Sequence, residues 1–422
     1  MADDRVVSDT VTEFFVNTCQ RRRLLDEDYL VVMIHCSNII DIQGARDSEI
    51  EVYPLSTGSV AEFYVETMLP CFGDVDVMFH RSSELAIPQG QPPPTQLPAE
   101  FHGHVFIAEI IDSTEPGYVF LERSYLLTEI APGGKYNAVQ CQRKYMEYNF
   151  ASKLGEYMQG PAFTMKESSV TPSDTDLDMV LCARCLLWPM QAADWPTRHR
   201  SYGWPDSATV DRVVSNGCDV VLVAHRLFRQ DEWMSKRQHR LSFSRAEVAL
   251  LNSWMPVQQI LYHMLRFYRK TEGLTDITDS NGRKILSNYN IKTLMLWACE
   301  RKPMRWWTDE LNVVSVCVKL LHILADWLTD ARCPHYFINN CNLFDVLDNS
   351  YLGPSQRMAH RLMSLTEAWL VEWFVNSYIR KCVDLCPDKV SRLFDDVSTH
   401  AKLQNAVSAL VEWRLIMTPF RA

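Results

Sequence analysis

Nowhere does the sequence run apolar for the roughly 18–20 residues that a helix needs to span a bilayer, so no membrane partner is expected. Met1-Ala2-Asp3-Asp4 opens the chain with acid where a secretory leader carries basic residues and an apolar stretch, which argues for a cytosolic or nuclear setting. A cytoplasmic location is the expectation carried forward. A disulfide framework is missing as well: the 13 cysteines are odd in number and scattered through apolar segments, as reduced core thiols are. Positive charge is in short supply, with 42 Lys and Arg against 52 Asp and Glu and a net charge of −10. Nothing in that total favours nucleic acid, so any such surface must be a local patch. No internal repeat stands out. What the chain does have is 422 residues, 47% of them hydrophobic and 22% charged, enough for a large core and two lobes.

The chemistry is concentrated in residues 56–79, from Ser56-Thr57-Gly58-Ser59 to Phe72-Gly73-Asp74-Val75-Asp76-Val77-Met78-Phe79. The second half reads as a buried strand. Side chains alternate faces along a strand, so Asp74 and Asp76 project from one side. Two carboxylates on one face of an apolar strand repel each other and are costly to desolvate unless a divalent cation sits between them. Gly58-Ser59 offers a turn whose N–H groups and hydroxyl suit phosphate oxygens. The plain alternatives are a solvated strand end and a common turn dipeptide. A third carboxylate decides between them, and Asp176-Leu177-Asp178-Met179-Val180-Leu181-Cys182-Ala183 supplies one on another predicted strand. Asp178 would face the pair if the strands are neighbours, with Asp174 and Asp176 as exposed alternatives.

Elsewhere, helical spacing is expected over residues 8–25 and again from Tyr29 to Gln43. Pro88-Gln89-Gly90-Gln91-Pro92-Pro93-Pro94 ends a strand, either as a hairpin connection or as a polyproline ligand. His104 to Ile111, Tyr118 to Glu122 and Cys218 to Ala224 read as strands, and Tyr136 to Met158 as a helix. Tryptophan and proline recur from Trp188 to Pro205. From Ser244 the texture becomes long amphipathic helices: Arg245 to Thr271, Asn290 to Cys299, Thr308 to Thr329, Gln356 to Cys386 and Pro387 to Ile416. Cys182-x-x-Cys185 has no second pair at zinc-ribbon spacing and reads as structural. Cys333, His335 and Cys341 are one ligand short of a zinc set, so core packing is the simpler reading and zinc the alternative.

Taken together, Gly58-Ser59, Asp74-Val75-Asp76 and Leu177-Asp178-Met179-Val180 resemble the cyclic GMP-AMP synthase and cGAS-like receptor family of nucleotidyltransferases, within the male-abnormal superfamily. Arg240-Leu241-Ser242-Phe243-Ser244 looks like that family's entry into its helical lobe. Leu286-Ser287-Asn288-Tyr289-Asn290-Ile291-Lys292-Thr293 looks like its nucleotide-contacting helix start, and Tyr336-Phe337-Ile338 with Asn342-Leu343-Phe344 matches a later stretch. The resemblance spans roughly residues 55–345. It implies an α+β, bilobal fold: a nucleotidyltransferase core with a long spine helix over residues 1–240 and a helical lobe over 241–422.

The resemblance also implies an activity, the joining of two nucleoside triphosphates such as ATP and GTP into a cyclic dinucleotide for innate immune signalling. Asp74, Asp76 and Asp178 would hold two Mg²⁺ or Mn²⁺ ions and Ser59, beside Gly58, would contact the triphosphate. Tyr289 would stack on a base, while Arg240, Ser242, Ser287 and Lys292 would contact base or phosphate. The family's helical-lobe lysine is absent: Leu265 or Arg266 falls there, and only Arg266 suits phosphate. The fourteen residues between Ser59 and Asp74 exceed the family's usual interval. The zinc-binding insertion of the vertebrate DNA sensor is absent too, since Leu250 to Val257 contains neither histidine nor cysteine. DNA is therefore the lesser partner, and double-stranded RNA the expected one, with dimerisation on the duplex left open. Arg21, Arg22 and Arg23, Lys135, Arg143 and Lys144, and Lys153 would meet its phosphates, as would Arg229, Lys236, Arg237 and Arg240. The opposing reading is a non-catalytic relative that binds nucleic acid or protein.

Overall fold

The computed structural model describes residues 52–58, 75–131, 134–147, 158–159, 162–165, 177–280, 282–308, 313–344 and 350–379. The helices expected at 8–25, 29–43 and 387–416 lie outside them. The strands are β1 (Val52–Thr57), β2 (Val75–Arg81), β3 (Glu84–Pro88), β4 (His104–Asp112), β5 (Tyr118–Ala131) and β6 (Lys135–Tyr145). Then come β7 (Met158–Gln159), β8 (Ala162–Met165), β9 (Leu177–Cys185), β10 (Cys218–Leu222) and β11 (Gln238–Ser242). The helices are α1 (Ser207–Ser215), α2 (Glu232–Arg237), α3 (Ser244–Leu251), α4 (Pro256–Thr271), α5 (Asn288–Arg301), α6 (Met304–Thr308), α7 (Val313–Thr329), α8 (Leu352–Met363) and α9 (Glu367–Trp373). The class is α+β, as the motif order implied, with the strands preceding a run of helices.

The sheet order is β1-β2-β9-β10-β11-β5-β4-β3, and a further β3–β9 pairing closes its last six strands into a ring. β9 does two jobs. Its first half runs parallel to β2, from Val75↔Leu177 to Phe79↔Leu181, and its second half lies beside β3 at Leu85↔Arg184 and Ala86↔Cys185. Leu85 lies six positions after Phe79 while its β9 partner lies only three after that of Phe79, so the chain bulges between β2 and β3.

Four expectations fail here, the first being the single helix expected from Gln356 to Cys386, which breaks at Ser364–Thr366 between α8 and α9. β3 and β4 are parallel, so the proline-rich segment after Pro88 is a crossover and not a hairpin. Residues expected as a helix from Tyr136 form β6, an edge strand antiparallel to β5 in which Tyr136 alone is fully buried. The helix expected from Arg245 to Thr271 is two, because the chain turns at Asn252–Met255 and Pro256 opens α4. Proline has no N–H to give, which suits a first turn whose donors are unpaired in any case.

One core joins strands to helices. Val119, Leu121, Ala183 and Val220 belong to the same buried cluster as Leu261, Leu265, Leu294, Leu321 and Leu324. The Trp188–Pro205 segment is wedged in the same core: Trp195 contacts Trp188, Tyr336 and Phe337, and Phe243 stacks on Phe337 with centroids 4.5 Å apart.

Candidate functional site

Register builds the first half of the site. In the parallel β2–β9 pair, Asp76 is the direct partner of Asp178. On either side stand Thr57 of β1, paired with Asp76, and Thr164 of β8, paired with Asp178. Side chains at paired positions share a face, about 4.8 Å apart from strand to strand. Both carboxylates are partly exposed, and the next residues on that face, Met78 and Val180, belong with Cys182, Val221 and Val223 to a small apolar cluster. Two acids therefore stand side by side at the edge of an oily floor. Their mutual repulsion is relieved by a shared cation, and carboxylate oxygens are the donors that Mg²⁺ and Mn²⁺ prefer.

Gly58 closes on this pair from β1. Its φ is +60°, and a Cβ built there would overlap the Asp76 carboxylate, lying 2.8 Å from Cγ. Only glycine lets the backbone approach so closely. Thr57 Oγ1 donates to the Asp76 carbonyl at 3.3 Å, fixing the same junction. Ser59 and Asp74 lie outside the described residues. Among the described residues no group of three or more His, Cys, Asp or Glu is poised around a metal, so the described part of the site supplies two carboxylates.

The second half is built by β11, α3 and α5. Arg240 is exposed on β11, and two residues on, Ser242 shares its face. Ser242 Oγ lies 3.7 Å from Met78 Sδ and 3.1 Å from Ser244 Oγ. Three strand spacings would hold β11 about 14 Å from β2 in a flat sheet, so the sheet curls to bring Ser242 over the face that carries Asp76.

Ser287 is the N-cap of α5, accepting from Asn290 N while its own N–H donates to Asn290 Oδ1 at 2.8 Å. The Tyr289 hydroxyl is 3.2 Å from His335 Nε2. His335 Nδ1 accepts from the N–H groups of Phe337 and Ile338 at 3.0 and 3.1 Å, so the ring proton sits on Nε2 and points at Tyr289. Burial lowers the His335 pKa to about 4. Burial, then the Glu247 carboxylate, pushes the Tyr289 phenol well above its usual range. Lys292 Nζ sits 5.6 Å from the Tyr289 ring centre and 2.7 Å from Glu247 Oε2, with both charged side chains buried. Arg240 acts electrostatically on Tyr289 and His335, which places it in the same neighbourhood.

The other predicted residues scatter. Arg266 is buried on α4, 5.3 Å from the Tyr262 ring, where burial and then its charge lower the pKa of His263 to about 3. Lys135 and Lys144 are exposed at opposite ends of β6. Arg143 between them is bound to Glu109 and Glu122 at 2.9 and 3.1 Å. Arg229 is exposed, whereas Lys236 pairs with Glu232 and Arg237 with Glu147. Arg21, Arg22, Arg23 and Lys153 lie outside the described residues. The Cys333, His335 and Cys341 group is core packing: Cys333 Sγ accepts from Asn290 Nδ2, the histidine is occupied at both nitrogens, and Cys341 Sγ reaches the Pro116 carbonyl.

With this geometry in hand, similarity to known proteins becomes informative. Residues 132–253 match the Mab-21 protein nucleotidyltransferase domain, and residues 257–362 match the Mab-21 protein HhH/H2TH-like domain. The chain belongs to the Mab-21 family. Among its relatives is the protein mab-21-like of Drosophila melanogaster, 27% identical over 186 residues, which are 42% of this chain and 46% of that protein. The aligned part is thus less than half of the relative's length. Within the Mab-21 chain, Asp178, Arg240, Ser242 and Glu247 fall in the nucleotidyltransferase match, and Arg266, Ser287, Tyr289, Lys292 and His335 in the helical one. Asp76 and Gly58 precede both, and their association with Asp178 rests on strand register.

Two residues of this neighbourhood were not foreseen. Glu247 lies three positions after Ser244 and invites reading as part of a helix-capping pattern, although its carboxylate is spent on Lys292. His335 enters the sequence reading only within the Cys333, His335 and Cys341 group, for which core packing is the simpler reading and zinc the alternative, and not as a partner of Tyr289.

Proposed function

We propose that this Mab-21 chain is a divalent-metal-dependent nucleotidyltransferase that joins two nucleoside triphosphates, ATP and GTP among them, into a cyclic dinucleotide. We infer further that double-stranded RNA in the cytoplasm switches it on, in the service of innate immune signalling. The observation that carries the reading is the Asp76↔Asp178 pairing in β2 and β9, with Gly58 seated on Asp76.

Asp76 and Asp178, with Asp74, are the residues that would hold two Mg²⁺ or Mn²⁺ ions, which supply neutralisation of triphosphate charge and a lowered pKa for an attacking ribose hydroxyl. The rest falls to the chain. The Gly58 backbone and Ser59 suit the triphosphate, Arg240 offers an exposed guanidinium to phosphate, and the Tyr289 ring offers a stacking face held by His335. The apolar cluster of Met78, Val180 and Val221 keeps water from beneath the carboxylates, which strengthens charge interactions above it.

A second reading has its own support. Two cations assigned to phosphate by resemblance are engaged in the fold, Lys292 with Glu247 and Arg266 against Tyr262. That favours a non-catalytic relative binding nucleic acid or protein.

One experiment separates them. The purified chain is incubated with Mg²⁺ or Mn²⁺, the four labelled triphosphates and double-stranded RNA, single-stranded RNA or DNA, and scored for a phosphatase-resistant product. Product with duplex RNA, abolished by Asp76→Asn and by Asp178→Asn without loss of RNA binding, is the expected result. Mn²⁺ should also raise the melting temperature of the wild type and not of Asp178→Asn. An active Asp76→Asn protein overturns the site assignment, and no product under any condition leaves the binding-module reading.

A further inference from the structure

The far end of α5 carries a second concentration of charge that the site above does not use. Glu300 Oε2 is held by Arg198 Nη2 at 2.7 Å, Tyr336 Oη at 2.8 Å and Arg200 Nε at 3.6 Å, so its charge is met by arginines other than Arg301. The next residue, Arg301, lays its guanidinium over the Trp297 ring at 4.1 Å, and Arg198 lies 4.5 Å from the same ring. Arg332, just past the end of α7, joins them through the same indole: Trp297 Nε1 donates to the carbonyl of Pro334, two residues on, at 2.9 Å, and Arg332 is among the charges that act on Arg301. Two arginines thus hold one carboxylate and two more gather beside the neighbouring indole, in a chain whose net charge is −10. Neither the Arg301 nor the Arg332 guanidinium has an ion-pair or hydrogen-bond partner among the described residues, and both residues are exposed. Lys302 follows with its ammonium 5.4 Å from the Trp306 ring.

Helix C-termini favour positive charge, and Arg301 closes α5 as Arg332 follows α7. That accounts for an arginine at each helix end. It does not account for two unpaired guanidiniums brought into each other's field, one of them fixed by stacking. An aromatic-stacked guanidinium is weakly hydrated and presents a rigid fork that matches phosphate oxygens two at a time. Tyr289 lies about 18 Å back along α5 at 1.5 Å per residue, so this group is separate from the carboxylate site.

We propose that Arg301 and Arg332 form an anion site for a phosphoryl group of a small, multiply charged ligand, a polyphosphorylated metabolite or a nucleotide. The test is calorimetric titration of the full chain, in chelator to silence metal-dependent triphosphate binding, with inositol hexakisphosphate, ATP, pyrophosphate and sulfate. Saturable one-site binding of a polyphosphate is expected, weakened about ten-fold by Arg301→Gln and by Arg332→Gln. Ligand-free melting temperatures of both variants should stay at the wild-type value. Tighter binding of inositol hexakisphosphate than of ATP assigns the site to the metabolite class, and the reverse order to nucleotides. Absence of saturable binding, or binding unchanged in both variants, overturns the proposal. So does a fall in ligand-free melting temperature without any change in affinity, which would reduce both arginines to helix caps.

Discussion

Gly58 rests its α-carbon against the carboxylate of Asp76, at a backbone angle of φ +60° that L side chains rarely adopt. Gly58→Ala must therefore move the carboxylate or the turn. Left-handed backbone costs a non-glycine residue about 1–2 kcal/mol, a tolerable loss for a domain of this size. Misplacing a ligand-bearing side chain by about 1 Å costs on the order of 10²-fold in rate. The expected outcome is a protein that melts within a few degrees of wild type but loses nucleotidyl transfer and Mn²⁺ binding, measured by product formation and by calorimetry. Full Mn²⁺ affinity in Gly58→Ala would remove the glycine from the site.

That contact was half legible in the sequence. Asp74-Val75-Asp76 and Asp178 announce themselves because strand alternation dictates which side chains share a face, and a parallel register with no slip between Val75 and Phe79 put Asp76 beside Asp178. Ser242 was harder: nothing local says that the sheet curls to bring it onto Met78. β6 reads as a helix in the sequence because Tyr136 and Val139 stand at helical spacing and an edge strand with one buried residue shows no period of two. Its partner, β5, supplied the hydrogen bonds that decided the matter. The break before α4 is legible in the sequence, since Pro256 inside an apolar period marks a helix start.

Buried neutral histidines tie stability to pH. Burial lowers the pKa of His80 and of His239 to about 4, against the 6.5 of an ordinary solvated imidazole, which the unfolded chain approximates. The unfolded state takes up protons first as pH falls, so this stability is complete above about pH 6.5 and drains away towards pH 4. His80 is the cleanest member: it stacks on Tyr53 and packs against Phe101, and neither ring nitrogen has a hydrogen-bond partner among the described residues. Its share is up to about 3 kcal/mol at 1.36 kcal/mol per pKa unit. Urea unfolding of His80→Phe should match or exceed the wild type at pH 7.5 and fall less steeply between pH 6.5 and 4.5. Parallel pH curves for the two proteins would show that His80 does not titrate as placed.

The exposed cations of β6 separate binding from folding. Glu109 is buried and accepts from Arg143 Nη2, Ser124 Oγ and the Gly90 N–H, so Arg143 neutralises a carboxylate that the fold has taken out of water. Lys144 is exposed and carries no such duty. Arg143→Ala should destabilise the protein by about 1–3 kcal/mol, the usual cost of a buried group left short of a partner. Lys144→Glu should leave the melting temperature alone and weaken duplex RNA binding, more at low salt than at high because phosphate contacts release counterions. RNA affinity that ignores both salt and Lys144→Glu would exclude this strand from the RNA surface.

Lys292 and Glu247 tie α5 to α3 through a 2.7 Å contact with both charges buried. Removing one partner strands the other in low dielectric, which costs about 3–5 kcal/mol, whereas replacing both with apolar residues of similar size is commonly neutral. A double-mutant cycle with Lys292→Met and Glu247→Leu should therefore show two strongly destabilised single variants and a double variant close to wild type. Because Lys292 Nζ also lies beside the Tyr289 ring, the cycle reads function as well as fold. If the lysine serves phosphate in the active arrangement, the double variant regains stability without regaining nucleotide affinity, and Lys292 must swing from Glu247 to the ligand when the site fills. If it regains both, the pair is a structural tie between α3 and α5, and Lys292 makes no phosphate contact.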